Sequence, residues 1–298
     1  MPSVIAPHEP FGLRVPSKRR RISAFFKILI VLTVVCGALV AGGYYLMHSI
    51  RPIELTPPEP VAACTVTARD DMDELEPEQA ANAATIGGVA FSRNLPEHAV
   101  VIAYATVWQE TKFYNIAHGD RDSLGLFQQR PSMEWGDPEQ IIDPVYASGE
   151  FYDALAEIPD YQDMPVYEAA QAVQRSADGF AYDQHEERSR TMAAAFSGSE
   201  GPAVSCRFEA EEAAETDVAA AEQEMERVFG VAPGSLPVAS PPQTGDLGWA
   251  MAIWAVTHAQ EYGLSSVTYD GMRWRAAEGQ EGWVKVSDAS PEGQIVLG

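Results

Sequence analysis

The chain has 298 residues, 46% of them hydrophobic, with 11 Phe, 11 Tyr and 6 Trp. That is enough for one medium domain or two small ones, and too apolar for a mainly disordered chain. The formal charge of −23 excludes a sequence-independent nucleic-acid binder, which needs a basic footprint, so no nucleic-acid partner is expected.

The charge is unevenly spread. Residues 1–27 hold six cations and one acid, net +5, which leaves −28 on the rest. Residues 1–23 read as a basic cytoplasmic tail and 24–47 as a transmembrane helix. Its uncharged run Ile28–Met47 is 20 residues long, and at ~1.5 Å per residue it spans about 30 Å, a bilayer core. Lys18–Arg21 flank it on one side and Tyr44-Tyr45 mark the far interface, so the positive-inside rule puts the N-terminus in the cytoplasm and the body outside the membrane. The competing reading is a cleaved signal peptide, whose apolar stretch is shorter and is followed closely by a small-x-small site.

Residues 48–76 read as a spacer, stiffened by Arg51-Pro52 and Pro57-Pro58-Glu59-Pro60. Residues 77–206 read as a helical domain. Helices are predicted over Pro77–Phe91, with Gly87-Gly88 weakening it or admitting a close neighbour, and over Pro96–Thr111, with Asn94 as a cap. A polar, turn-like stretch, Asn115–Pro131, follows. Further helices are predicted from Asp143-Pro144 through Leu155, over Pro165–Ser176 and over Tyr182–Phe196. Residues 207–245 read as an acidic, solvated helix and a Pro-rich linker. Residues 246–298 read as a separate small α+β module. It has an apolar helix over Trp249–Tyr262, strands Ser266–Tyr269 and Met272–Arg275 about the hairpin dipeptide Asp270-Gly271, and short strands at Trp283–Val286 and Ile295–Leu297. The expected class is mainly α, behind one N-terminal transmembrane helix.

Cys64 and Cys206 are the only cysteines beyond the apolar run, and they bracket the helical stretch. In an oxidising compartment they invite a disulfide; two separate buried thiols are the alternative.

The residue that points to chemistry is Glu110. On the helix Pro96–Thr111, Val100, Ala103, Tyr104 and Val107 form the apolar face. Glu110 lies about 20° from Ala103 and about 60° from Val107, on that same face. It also sits at the helix C-terminus, where the dipole opposes a negative charge. Both effects raise a carboxyl pKa, which suits a general acid.

The string Gln109-Glu110-Thr111, then Asn115, then Ser123-Leu124-Gly125-Leu126-Phe127-Gln128-Gln129-Arg130-Pro131 resembles the lytic transglycosylase and goose-type lysozyme superfamily. Those enzymes end a helix in Glu-Ser and follow it with a Gly-Leu-Met-Gln-x-x-Pro turn that lines the sugar groove. Thr111 replaces the Ser and Phe127 the Met. Asp143-Pro144 with Phe151-Tyr152 and Leu155 is similar to the next family helix. The family's Ala-Tyr-Asn-Ala-Gly stretch, whose Tyr faces the Glu, corresponds to Ala172-Val173-Gln174-Arg175-Ser176, with Val173 at the Tyr position. The sequence style also looks like membrane-anchored cell-wall proteins of actinobacteria.

The resemblance implies a lysozyme-like fold for the helical domain and cleavage of peptidoglycan glycan strands, with Glu110 as the single catalytic acid and base. The lytic members protonate the glycosidic oxygen and then take a proton from the substrate's own 6-hydroxyl, where ordinary glycosidases need two carboxyl groups. Asn115, Ser123, Gln128, Gln129 and Gln174 are the expected substrate-binding residues, and Gln128 is expected across the groove from Glu110. Asp120 and Asp122 read as turn caps. No cofactor or metal is expected. The rival readings are a non-catalytic peptidoglycan-binding module and an envelope scaffold with a protein partner.

Overall fold

A computed structural model describes residues 23–49, 62–175, 179–209, 214–234, 236, 246–287 and 293–298. The tail up to residue 22, the Pro-rich part of the spacer, Ser176 and most of the 231–245 linker lie outside the described residues. The chain divides into two units, Met1–Glu59 and Pro60–Gly298.

In the first unit, helix α1 (Ala24–Ser49) contains the apolar window Phe26–Tyr45, long and apolar enough to cross a membrane. Its large side chains, from Phe26 to Tyr45, are exposed, as on a helix that packs against lipid.

The second unit is mainly helical, with two small antiparallel sheets. It opens with a hairpin, β1 (Ala63–Ala68) and β2 (Asp71–Leu75), turned by Arg69 and Asp70 in the left-handed region. Helix α2 (Pro77–Ser92) follows, then α3 (Glu97–Glu110), whose residues from Ala99 to Trp108 are all buried. Asn94 does not cap α3: it takes a left-handed turn conformation, and Pro96 holds the N-cap position. Next come α4 (Pro138–Ile142), α5 (Pro144–Ala156), α6 (Val166–Gln174), a 3-10 helix at Gly179–His185 and α7 (Glu186–Phe196). Asp143 caps α5 by accepting from the backbone N–H of Val145 at 2.9 Å. Strand β3 (Val204–Arg207) returns to pair with β1, giving the order β2-β1-β3. Cys64 lies opposite Cys206 in that pairing, and the two form a disulfide with a Cα–Cα distance of 3.9 Å.

Three expectations are corrected. The spacer assigned to 48–76 ends in ordered structure, the β1–β2 hairpin; alternating burial is confined to β1, and the acidic outer strand β2 is exposed apart from Leu75 and the partly buried Asp73, so it gives no strand pattern. The acidic stretch is not a solvated spacer. Helix α8 (Val218–Phe229) buries Ala221, Met225, Val228 and Phe229, spaced i, i+4, i+7, i+8, against α2. Gly88 makes this possible, because a Cβ there would clash with Val228 Cγ1, while one on its neighbour Gly87 would sit 3.1 Å from the Tyr104 hydroxyl of α3.

The third correction concerns 246–298, which is no separate module. Helix α9 (Leu247–Thr257) is apolar on every side and buried along its whole length, mainly against α2. A helix of that kind needs cover all round, more than a unit this small can supply alone. The expected strands do form: β4 (Ser266–Tyr269) and β5 (Met272–Arg275), with short partners β6 (Val284–Lys285) and β7 (Val296–Leu297), in the order β6-β5-β4-β7. This sheet is pinned to β3. Trp274 donates to the Cys206 carbonyl at 3.0 Å and Trp283 to the Val204 carbonyl at 2.8 Å.

The α2–α9 contact holds a buried titratable group. His258, one residue past α9, stacks on Trp254 at 3.9 Å, with Nδ1 2.8 Å from the Trp254 carbonyl and Nε2 3.4 Å from Thr85 Oγ1. Burial holds its pKa down at about 4, against a weaker upward pull from the Trp254 carbonyl. An unfolded chain protonates this ring below about pH 6.5, whereas the folded protein resists until about pH 4. The neutral ring is therefore fully compatible with folding above pH 6.5, and stability drains away as pH falls from there to 4, by about 3 kcal/mol in all. Denaturant midpoints at pH 7 and pH 4.5 should show this loss in the wild type and a smaller one in His258→Gln.

Candidate active site

Glu110 is the last residue of α3, and the chain just beyond it is held by α2. After Thr111 the chain reverses through Lys112 and Phe113, both left-handed. Gln79 Nε2 donates to the Lys112 carbonyl at 2.8 Å and Asn82 Nδ2 to the Phe113 carbonyl at 2.9 Å. The Phe113 ring is buried edge-on to Tyr104 and Trp108, at 5.3 and 5.0 Å.

The Gly125-Leu126-Phe127-Gln128 turn packs against this corner. Its ends are closed by a bridge between Leu124 and Gln129. Gly125 has φ +73, and a Cβ there would lie 2.5 Å from the Ile141 carbonyl oxygen, so the position accepts only glycine. Two side chains tie the turn to its surroundings: the Thr111 hydroxyl donates to the Leu126 carbonyl at 2.8 Å, and Gln174 Nε2, at the end of α6, donates to the Phe127 carbonyl at 2.8 Å.

Three elements meet at the carboxylate. Glu110 Oε1 accepts from the Tyr182 hydroxyl at 3.0 Å and lies 3.4 Å from Gln174 Nε2. The group is half-buried, and burial raises its pKa. The hydrogen bonds from Tyr182 and Gln174 pull the other way and are outweighed. Such a carboxyl can hold a proton closer to neutrality than an exposed Glu and give it up to an oxygen brought alongside.

Tyr182 is the residue that sequence reasoning missed. Val173, at the family's Tyr position, is buried in the core, whereas Tyr182 comes from the 3-10 helix eight residues beyond Gln174. The sequence holds no periodic signal that would aim it at Glu110.

The other expected binding residues serve the scaffold. Gln129 is 1% exposed and donates to the Ala147 carbonyl at 3.0 Å, facing the core rather than a groove. Asn115 donates through Nδ2 to the Ile142 carbonyl at 2.7 Å, and its backbone N–H reaches Glu78 Oε1 at 3.1 Å. Ser123 is buried, its N–H on the Asp120 carbonyl at 3.1 Å. Gln128 folds over its own turn, its amide 3.4 Å from the His118 carbonyl and 3.3 Å from that of Gly125. Gln174 alone of the five bonds to Glu110 among the described residues.

Of the acids near this turn, Asp120 is exposed, 3.9 Å from Arg121, whereas Asp122 and Asp143 are spent on structure. Asp122 binds Arg130 Nε and the Ser132 N–H, both at 2.8 Å. The bonds from Ser132 and Arg130 hold its pKa far below the usual carboxylate range. Asp143 takes a bidentate pair from Arg227 on α8, at 2.8 and 3.1 Å. Among the described residues no three His, Cys, Asp or Glu side chains are grouped to hold a metal ion.

A cavity of about 810 Å³ opens elsewhere, lined by Glu78, Asn115, Asp143, Arg227 and His258 among others, and Glu110 is not in its wall. Its size does not make it the reactive site. Arg227 is taken by Asp143 and Glu224, and His258 by Thr85 and Trp254.

The chain matches no protein-family model and no curated protein.

Proposed function

We propose that residues 77–206 form a lysozyme-like domain that cleaves peptidoglycan glycan strands, with Glu110 acting alone as general acid and then base. The observation that carries this reading is the Glu110 corner: a half-buried carboxyl at a helix end, raised in pKa and held by Tyr182 and Gln174 beside the Gly125–Gln128 turn. Tyr182 supplies the phenol that the resemblance assigns to a Tyr in place of Val173. The engagement of Asp122 and Asp143 elsewhere favours the one-carboxylate scheme, in which the substrate's own hydroxyl replaces the second acid.

The same reading makes α1 a retained anchor, with the basic tail in the cytoplasm and the body outside. It is supported by the cations before the apolar window and by the disulfide, which is typical of an oxidising compartment. Mass spectrometry of muropeptides released by the full-length protein in detergent tests the activity. Anhydro-sugar ends are the expected product, reducing ends would mean hydrolysis, and binding without cleavage would mean a glycan-binding module.

The Tyr182 hydroxyl has a signature in pH. Its hydrogen bond favours the charged carboxylate, so its loss raises the Glu110 pKa. Tyr182→Phe should lower the maximal rate and move the alkaline limb of the pH–rate profile upward, because the protonated acid then persists to higher pH.

A further inference from the structure

The large aromatic side chains of the second unit are mostly consumed by its core. Trp254 and Trp274 are fully buried, and Trp249 packs edge-on against Trp283 at 5.2 Å. One pair differs. Phe180, on the 3-10 helix, is 75% exposed, and its ring stacks on Tyr167 of α6 with centroids 5.2 Å apart and planes 24° from parallel. Tyr167 thus covers one face of the Phe180 ring and leaves the other open. Burying an apolar ring only on one side gains little for the fold, so the open face is available to a ligand.

The location of the pair is informative. Tyr167 and Gln174 are seven residues apart on α6, so they lie within about 20° of one another on the same helix face and about 10 Å apart along it. Gln174 is the residue bonded to Glu110. Phe180 and Tyr182 share the 3-10 helix, and Tyr182 also bonds Glu110. Both elements that hold the carboxyl therefore also carry the aromatic step. Flat apolar faces beside polar amides suit a pyranose ring, whose axial C–H bonds pack on an aromatic face while its equatorial groups turn to solvent.

We propose that Phe180, backed by Tyr167, is a sugar-stacking subsite that holds one ring of the glycan while Glu110 acts on a bond further along the same strand. This rests on the glycan-cleaving function proposed above. The test uses full-length protein in detergent carrying Glu110→Gln, so that the probe is bound and not cut, titrated by calorimetry with soluble peptidoglycan glycan strands freed of stem peptides. Adding Phe180→Ala or Phe180→Leu should weaken binding roughly three- to ten-fold, the range of an aromatic face contact. Phe180→Trp should restore or exceed the parent affinity, a pattern that loss of mere apolarity would not give. Because the ring is exposed, all three variants should melt with the parent. If the parent binds and Phe180→Ala binds equally well, the subsite is overturned and the glycan reading stands. If the parent itself does not bind glycan strands, both fall together.

Discussion

Glu110→Gln is expected to abolish release of muropeptides. Removing a general acid costs about 10²–10⁴ in rate, and here one group serves as acid and base, which puts the expected loss at the upper end. The amide preserves the shape of the side chain and can still accept from Tyr182, so the corner should stay intact and the melting temperature should not fall. Asp122→Asn is the matched control. Asp122 holds Arg130 and Ser132, so its loss should loosen the turn and lower stability while changing the rate far less. Equal muropeptide release by wild type and Glu110→Gln would remove Glu110 from the chemistry.

The second large effect belongs to the disulfide. Cys64 and Cys206 are 142 residues apart, and the loop-entropy estimate for a closure of that size is about 5 kcal/mol. A domain's whole stability is about 5–15 kcal/mol, so Cys64→Ala with Cys206→Ala should leave it marginal or unfolded at physiological temperature. Urea unfolding of wild type with and without reductant, beside the double variant, measures this directly. A midpoint unchanged by reductant would mean that the pairing of β1 with β3 is held by hydrogen bonds and packing alone.

Much of the helical body was legible in the sequence because its signals are local. Pro77 and Glu78 mark the start of α2, Asp143-Pro144 that of α5, and the turn dipeptide Asp270-Gly271 sets the β4–β5 hairpin. Signals that depend on distant partners were not. Strand β1 pairs with β3 across the whole helical stretch, and only the cysteines hinted at it. The apolar face of α8, Ala221, Met225, Val228 and Phe229, went unread because the surrounding glutamates signal solvation, and the surface that receives it, at Gly88, is distant in sequence. At the site, the helix wheel placed Glu110 with the apolar face, and the structure half-buries it. The wheel could not say which side chains would meet it. Amides near a polar turn are as readily spent on backbone carbonyls as on a ligand, and Gln129 and Asn115 are spent that way.

The β2-β1-β3 sheet also has a mechanical consequence. The chain enters the folded body at Ala63, and the next residue is cross-linked to Cys206. A pull arriving along the segment from α1 therefore meets a covalent bond one residue into the central strand. The load passes into β3, and through the Trp274 and Trp283 hydrogen bonds into the C-terminal sheet, without first peeling β1 from its neighbours. For a pull between the two ends of the chain, the loop closed by that bond, which contains Glu110, is bypassed.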